Sequence, residues 1–198
     1  MKPLYLATKN IGKIRELQAL LSHLPLEVHS LLDLPEAPEI LEDGETFEEN
    51  AVKKAEAVQA LTGGIVLADD SGLEVDSLQG QPGVRSARYA GENSTDAANN
   101  EKLLQKLEGA PAHQRGARFC CAMAIAAPGR ETAVVLGHCR GVIAPEPRGD
   151  QGFGYDPLFL VPAYQKTFGE LSPDVKNRIS HRSRALAQAL MVLEKLLP

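Results

Sequence analysis

Residues 65–72, Ile-Val-Leu-Ala followed by Asp69-Asp70-Ser71-Gly72, constrain this chain more than any other stretch. Four consecutive apolar residues read as a short buried strand, with two carboxylates where the strand runs out. In open α/β sheets ligands bind just past the carboxyl ends of strands. Paired acidic residues there match a hard cation such as Mg²⁺, which takes oxygen ligands and shares them with a substrate phosphate. Side chains alternate along a strand, so Asp69 and Asp70 point to opposite faces and at most one leads the chemistry. The same four residues equally suit a plain turn, since Asp, Ser and Gly are ordinary turn formers.

The 198 residues suffice for one domain, or a tightly joined pair of lobes, with a core that needs no staples. A net charge of −5 argues against a nucleic-acid partner, which calls for a basic stripe. A small anionic ligand needs only a few placed Lys and Arg residues. Cys120, Cys121 and Cys139 have neither zinc nor Cys-x-x-Cys spacing, and the last two sit in apolar text as buried thiols. Their odd number, without a signal peptide, points to a reducing, cytoplasmic setting. The longest apolar stretch, residues 119–127, is far too short to span a bilayer. The five histidines are scattered and form no ligand cluster, which argues against a zinc site.

Residues 4–7 read as an opening strand and residues 8–13 as a turn, followed by a helix with Ile14, Leu17, Leu20, Leu21 and Leu24 on one face. A second strand is expected from Val28, and the Pro- and Glu-rich residues 34–43 as loop. Thr46-Phe47-Glu48-Glu49 has capping-box form and predicts a helix to about Leu61, ended by Gly63 and Gly64. Phe47, Ala51, Ala55 and Val58 form its apolar stripe. Thr46, Asn50 and Lys54 form a polar one, which suits a solvated face or a helix lining a phosphate cleft.

Beyond the Asp-Asp turn, Leu73, Val75 and Ser77 alternate with polar residues as in a half-exposed strand. A Gly-Pro loop over 79–83 precedes a helix from about Asp96 to Leu107. Residues 118–126 and 132–138 flank Pro128-Gly129 as a hairpin, and residues 141–154 form a loop before a strand over 158–161. Ser172-Pro173-Asp174 opens a helix, and a last helix covers roughly residues 183–197. The expectation is a single α/β domain over 1–198, built on a mixed sheet.

Three further strings can carry chemistry. In residues 8–13 a strand turns into a helix, which gathers backbone N–H groups and the positive helix end into an anion site. Lys13 adds a charge there, and Thr8 and Asn10 add hydrogen bonds. The P-loop pattern is absent, and a turn with a surface lysine explains the loop in isolation. In Gly152-Phe153-Gly154-Tyr155-Asp156-Pro157, two glycines let the backbone approach a planar ligand on which Phe153 stacks. An aromatic-anchored loop entering a strand is the plain alternative. Ser180-His181-Arg182, with Lys176 upstream, offers fixed donors to a carbonyl or phosphate.

Together and in this order, Thr8-x-Asn10-x-x-Lys13, Asp69-Asp70-Ser71-Gly72, Phe153-Gly154-Tyr155-Asp156 and Ser180-His181-Arg182 give the chain its resemblance. It resembles the non-canonical purine nucleoside triphosphate pyrophosphatases, also called inosine or xanthosine triphosphatases, in their bacterial form. Glu42-Asp43-Gly44 with Thr46-Phe47, Asn50-Ala51 with Lys54, and residues 82–89 extend the match over essentially the full length. The resemblance implies an α/β fold with an elongated mixed β-sheet flanked by helices, two lobes around a central cleft, and a homodimer. It implies Mg²⁺-dependent hydrolysis of ITP, dITP and XTP to monophosphate and pyrophosphate, clearing deaminated purines from the nucleotide pool.

Carried over residue by residue, Asp70 is the catalytic acid-base group and a metal ligand, with Glu42 as second carboxylate. Thr8, Lys9, Asn10, Ile11, Gly12 and Lys13 hold the triphosphate, assisted by Lys54 and Ser71. Phe153, Gly154, Tyr155, Asp156, Lys176, His181 and Arg182 hold base and sugar. Pyrophosphate leaves readily once cations neutralise its growing charge. An ordinary Asp, with a pKa of about 3.9, is a poor base at neutral pH, so the metal carries much of the activation. Hypoxanthine and xanthine offer a 6-carbonyl acceptor where adenine offers a donor. Donors from Arg182 or the backbone would be orphaned by adenine at roughly 1–3 kcal/mol each. Two other readings compete: a septum-type nucleotide pyrophosphatase of different base specificity, and a nucleotide-binding module without turnover.

Overall fold

Alternating strand and helix text at the N-terminus builds one edge of a sheet in the computed structural model, which describes residues 2–34, 37 and 39–196. β1 (Lys2–Leu6) pairs in parallel with β2 (Leu26–Ser30) on one side and β3 (Ile65–Val75) on the other. Parallel neighbours need crossovers, and α1 (Ile11–Leu21) and α2 (Phe47–Thr62) lie in those connections. β4 (Gly116–Ala126) and β5 (Ala133–Ile143) are neighbours joined by residues 127–132, too few for a parallel crossover, so the expected hairpin is present. β6 (Phe159–Val161) and β7 (Lys166–Thr167) continue the sheet antiparallel. The result is a mixed seven-stranded sheet in the order β2-β1-β3-β4-β5-β6-β7. Helices α3 (Asp96–Lys106), α4 (Pro173–Ile179) and α5 (His181–Leu193) complete the fold.

The capping box is formed as expected. Thr46 Oγ1 accepts from Glu49 N at 3.1 Å, the Glu49 carboxylate accepts from Thr46 N, and Gly63 ends α2 at φ +62°. Several expectations need correction. Residues 69–72 are not a turn, because β3 runs unbroken from Ile65 to Val75. The turn over 8–13 is shorter than expected, because Asn10 already caps α1 through Lys13 N. The last helix begins two residues earlier, at His181, and Leu197 lies outside the described residues. Residues 35, 36 and 38 of the expected loop also lie outside them. β7 is a two-residue strand with no periodicity to reveal it.

The chain divides into two compact units. The first takes the described residues of 1–70, 121–137 and 182–198, with a core that includes Leu6, Leu17, Leu67, Met123, Leu186 and Leu193. The second takes residues 71–120 and 138–181. Its core is aromatic: the Phe119 ring lies 4.6 Å from Phe159 and 5.9 Å from Phe168, centroid to centroid. Among the described residues no helix is long and apolar enough to cross a membrane.

Candidate active site

In the first unit, β1 stops at Leu6, which pairs with Leu67, while β3 continues. Asp69 and Asp70 therefore stand just past the carboxyl end of β1, in mid-strand of β3 rather than at its end. The chain leaving β1 turns through Thr8, whose Oγ1 accepts from Asn10 N at 3.1 Å, and Asn10 Oδ1 accepts from Lys13 N at 3.1 Å. Both contacts set the first turn of α1, so Lys13 projects from a fixed helix start. Lys9, Asn10 and Ile11 are exposed, and Gly12 is half-buried.

Asp69 is buried and surrounded by cations. Lys13 Nζ lies 2.5 Å from Oδ1, and Arg182 Nε 3.1 Å from Oδ2. The Cys121 thiol also donates to Oδ2, at 3.3 Å. Burial alone would raise this carboxyl's pKa, but Arg182, Lys13 and Lys54 outweigh it and hold Asp69 well below the usual carboxylate range. Arg182 is itself buried, and its second partner is Glu16 of α1. Asp69 thus serves as a fixed anion that locks Lys13 and Arg182 in place.

Asp70 faces the other way, toward α2. Asn50 Nδ2 donates to its Oδ2 at 3.1 Å, and Lys54 Nζ stands 3.4 Å from Oδ1. The Asn50 amide is held by its other end, since Oδ1 accepts from Gly44 N at 2.8 Å. Lys54 Nζ also donates to Glu42 Oε2 at 3.0 Å and to the Asp69 carbonyl at 2.8 Å. Burial raises the Asp70 pKa, and neighbouring Glu42 adds to that rise; Lys54 and Lys13 only partly oppose it. Burial also pushes Glu42 up, but Lys54 and Lys13 overcome it and leave Glu42 lowered. Lys54, despite its burial, is held protonated by Asp70, Glu42 and Asp69.

Within the polar stripe, Asn50 and Lys54 are almost fully buried and line the cluster, while Thr46 at the cap is exposed. Glu16, Glu42, Asp69 and Asp70 set four carboxylates against the three cations Lys13, Lys54 and Arg182. Counted over these seven side chains alone, carboxylates outnumber cations by one, and a cation brought in with a polyphosphate would offset their mutual repulsion. Asp70 and Glu42, both reached by Lys54, offer the carboxylate oxygens that a divalent hard cation takes. Among the described residues no group of three His, Cys, Asp or Glu side chains is arranged to hold a metal. Mg²⁺ differs from zinc in this respect, being bound through one or two carboxylates plus substrate and water.

The second unit gathers the other expected residues. Gly152 and Gly154 both adopt positive φ, +78° and +61°, so the glycines flanking Phe153 are required by the backbone path itself. Asp156 closes the loop: its Oδ2 accepts from Phe153 N at 2.9 Å and pairs with Lys176 Nζ at 2.5 Å. Lys176 Nζ also sits 5.0 Å from the Phe153 ring centroid. His181 stacks on Phe119 at 4.6 Å, with the rings 12° from parallel. Tyr155 is buried, with its hydroxyl donating to the Ser86 carbonyl. Ser71 is half-buried on β3.

The structure thus brings Lys13, Glu42, Lys54 and Asp70 together in one unit, and Phe153, Asp156 and Lys176 in the other. Arg182, expected to face the base, has two of its nitrogens on Asp69 and Glu16. Asn50 is marked in the sequence by its place in a polar stripe and by the Asn50-Ala51 match, neither of which gives its partner Asp70. Glu16 was not singled out, although Lys13 and Glu16 share a helix face at i, i+3.

The sequence profile of the Ham1 family matches residues 4–192. A dITP/XTP pyrophosphatase of Geobacillus kaustophilus is 57% identical over 188 residues, covering 95% of this chain and 92% of that protein. Another of the same name, from Bacillus subtilis, is 52% identical over 194 residues, covering 98% of each. Among solved structures, the Ham1 protein of Staphylococcus aureus superposes with a TM-score of 0.87 at 42% identity. It matches over 99% of this chain and 100% of its own. A HAM1 protein of Coxiella burnetii gives 0.88 at 44% identity, over 98% and 100% respectively.

Proposed function

The chain belongs to the Ham1 family, and from that premise we infer that it hydrolyses non-canonical purine nucleoside triphosphates such as dITP and XTP to monophosphate and pyrophosphate. It is a hydrolase of phosphoanhydride bonds. The observation that carries the reading is the Lys13, Lys54, Glu42 and Asp70 cluster, a set of cations and carboxylates suited to a polyphosphate and its counter-ion.

Asp70 is the proposed acid-base residue. Its raised pKa makes it a better proton acceptor than an ordinary carboxylate, and Asn50 and Lys54 fix its direction. Asp70 and Glu42 would hold Mg²⁺, which when bound supplies Lewis-acid stabilisation of phosphoryl charge. Backbone groups of residues 8–13, with Lys13, Lys54 and Ser71, would hold the triphosphate. Phe153, Gly154, Tyr155, Asp156, Lys176 and His181 would hold base and sugar. Arg182 would serve base recognition in addition to its grip on Asp69. A homodimer acting in the cytoplasm completes the reading, and light scattering that shows only monomer would refute the dimer.

The decisive assay measures released pyrophosphate and orthophosphate, with and without Mg²⁺, across dITP, XTP, dGTP and dCTP. The expected result is pyrophosphate alone, Mg²⁺-dependent, and much faster from dITP and XTP. Orthophosphate as product, or equal rates on dGTP, overturns the assignment. Asp70→Asn should lose nearly all turnover, by a factor of about 10² or more, while dITP still binds. Near-normal turnover in that variant removes Asp70 from its role.

A further inference from the structure

Both backbone groups of Gly154 are taken by side chains of α3. Its N–H donates to Asp96 Oδ2 at 2.7 Å, and its carbonyl accepts from Asn100 Nδ2 at 2.9 Å. Asp96 and Asn100 are four residues apart, on one face of the helix. Asn100 is 9% exposed, and its Oδ1 is buried with no hydrogen-bond partner among the described residues. What Asn100 holds is one of the two positive-φ glycines flanking Phe153, Gly154 at φ +61°, which has no side chain of its own to pack. Asp156 organises the loop from within through Phe153 N, whereas α3 grips it from outside.

We propose that Asp96 and Asn100 are positioning residues for base recognition: by gripping Gly154 they hold Phe153 and Tyr155 in the arrangement that accepts a 6-oxopurine. This rests on the reading that residues 153–156 take the base. Two glycines around Phe153 leave the loop many conformations, and ordering it only when substrate arrives would weaken binding. The grip removes that cost in advance. Loss of the grip therefore appears on the base side of the substrate and not in the phosphate chemistry.

The test uses the full-length enzyme and four variants: Asn100→Ala, Asn100→Asp, Asp96→Asn and Asp96→Ala. KM and kcat are measured with dITP, along with separate inhibition constants for inosine monophosphate and for pyrophosphate. Loss of the Asn100 donor orphans the Gly154 carbonyl, so Asn100→Ala should raise the KM for dITP about tenfold. Inhibition by inosine monophosphate should weaken equally, with kcat and inhibition by pyrophosphate unchanged. Asn100→Asp should do the same, having lost the donor. Asp96→Asn should stay near wild type, because its amide oxygen still accepts from Gly154 N.

Asp96→Ala tests the same grip from the exposed first turn should Asn100→Ala fail to fold. Unchanged KM in the alanine variants overturns the proposal. So does a parallel shift of kcat and both inhibition constants, or wild-type behaviour in Asn100→Asp. Amide exchange at residues 153–155, faster in Asn100→Ala, reads the grip directly and without turnover. An inactive wild-type enzyme with that exchange difference would fault the proposed function and not the grip.

Discussion

Asp69 and Asp70 are adjacent residues of one type, and the structure drives their acidities in opposite directions. Asp69 meets Arg182 and Lys13 and is held deep in its ionised form; Asp70 meets Glu42 as well as Lys54, and burial prevails. Alternation along β3 was legible from the sequence, and with it the expectation that the two carboxylates face different partners. Which was which depended on residues 13, 42, 54 and 182, whose convergence no local pattern discloses. Asp69→Asn should leave Arg182 and Lys13 facing a neutral amide, a loss of about 3–5 kcal/mol. The thermal midpoint should then fall on the order of 10 °C by calorimetry. An unchanged midpoint would mean that these ion pairs only offset their own desolvation. A second residue allows a pH prediction. Burial raises the Cys120 thiol to a pKa of about 12, and Glu74, beside it at 3.3 Å, adds repulsion. A raised thiol pKa keeps the neutral form to higher pH. At pH 8 about one thiol in ten thousand is then thiolate, and alkylation at this site should climb about tenfold per pH unit from 8 to 10. An ordinary thiol levels off near 9. Glu74→Gln should lower the pKa and speed the reaction at pH 8, and a slower rate would contradict the sign.

At the level of elements, propensity was reliable where both partners of a contact were close in sequence. The Thr46–Glu49 box, the glycine that ends α2 and the Ser172 cap of α4 are all where the pattern placed them. It failed at residues 69–72, where turn-forming residue types continue a strand. A turn satisfies such side chains locally, whereas here Lys13, Lys54, Asn50 and Arg182 satisfy them from three helices. Non-local partners remove the reason for the chain to turn. The capping box also has a consequence for the candidate site, because α2 presents Asn50 and Lys54 one and two turns beyond it. Thr46→Ala should cost about 1 kcal/mol, or roughly 2–4 °C for a chain of this size. Fraying of the first turn should also loosen Asn50 before Lys54. Amide exchange that rises at residues 47–50 and stays low at 54–58 is the expected outcome. Uniform exchange along α2 would show that the cap does not govern this end.

At the level of the molecule, the first unit is assembled from three separated stretches, and its acidic cluster needs all but one of them for charge. Residues 1–70 bring Lys13, Glu42, Lys54 and both aspartates, and α5 brings Arg182. No Pro-, Gly- or Ser-rich linker marks the division into two units; chain length leaves a pair of lobes open, and family resemblance implies one. The reason is visible in the boundaries: 70/71, 120/121 and 137/138 fall inside β3, β4 and β5, so composition does not change where the units do. Uninterrupted strands are poor places for independent melting, and the whole chain is expected to unfold in one transition. Leu186 offers the test, because it is 2% exposed in the core of the first unit, one turn along α5 from Arg182. Leu186→Ala should cost about 2–5 kcal/mol through the cavity it leaves. That loss should lower a single calorimetric peak without dividing it. Near-ultraviolet dichroism, which follows the aromatic core of the second unit, should report the same lowered midpoint. A split peak, or aromatic signal surviving above the first transition, would show instead that the second unit stands without the first.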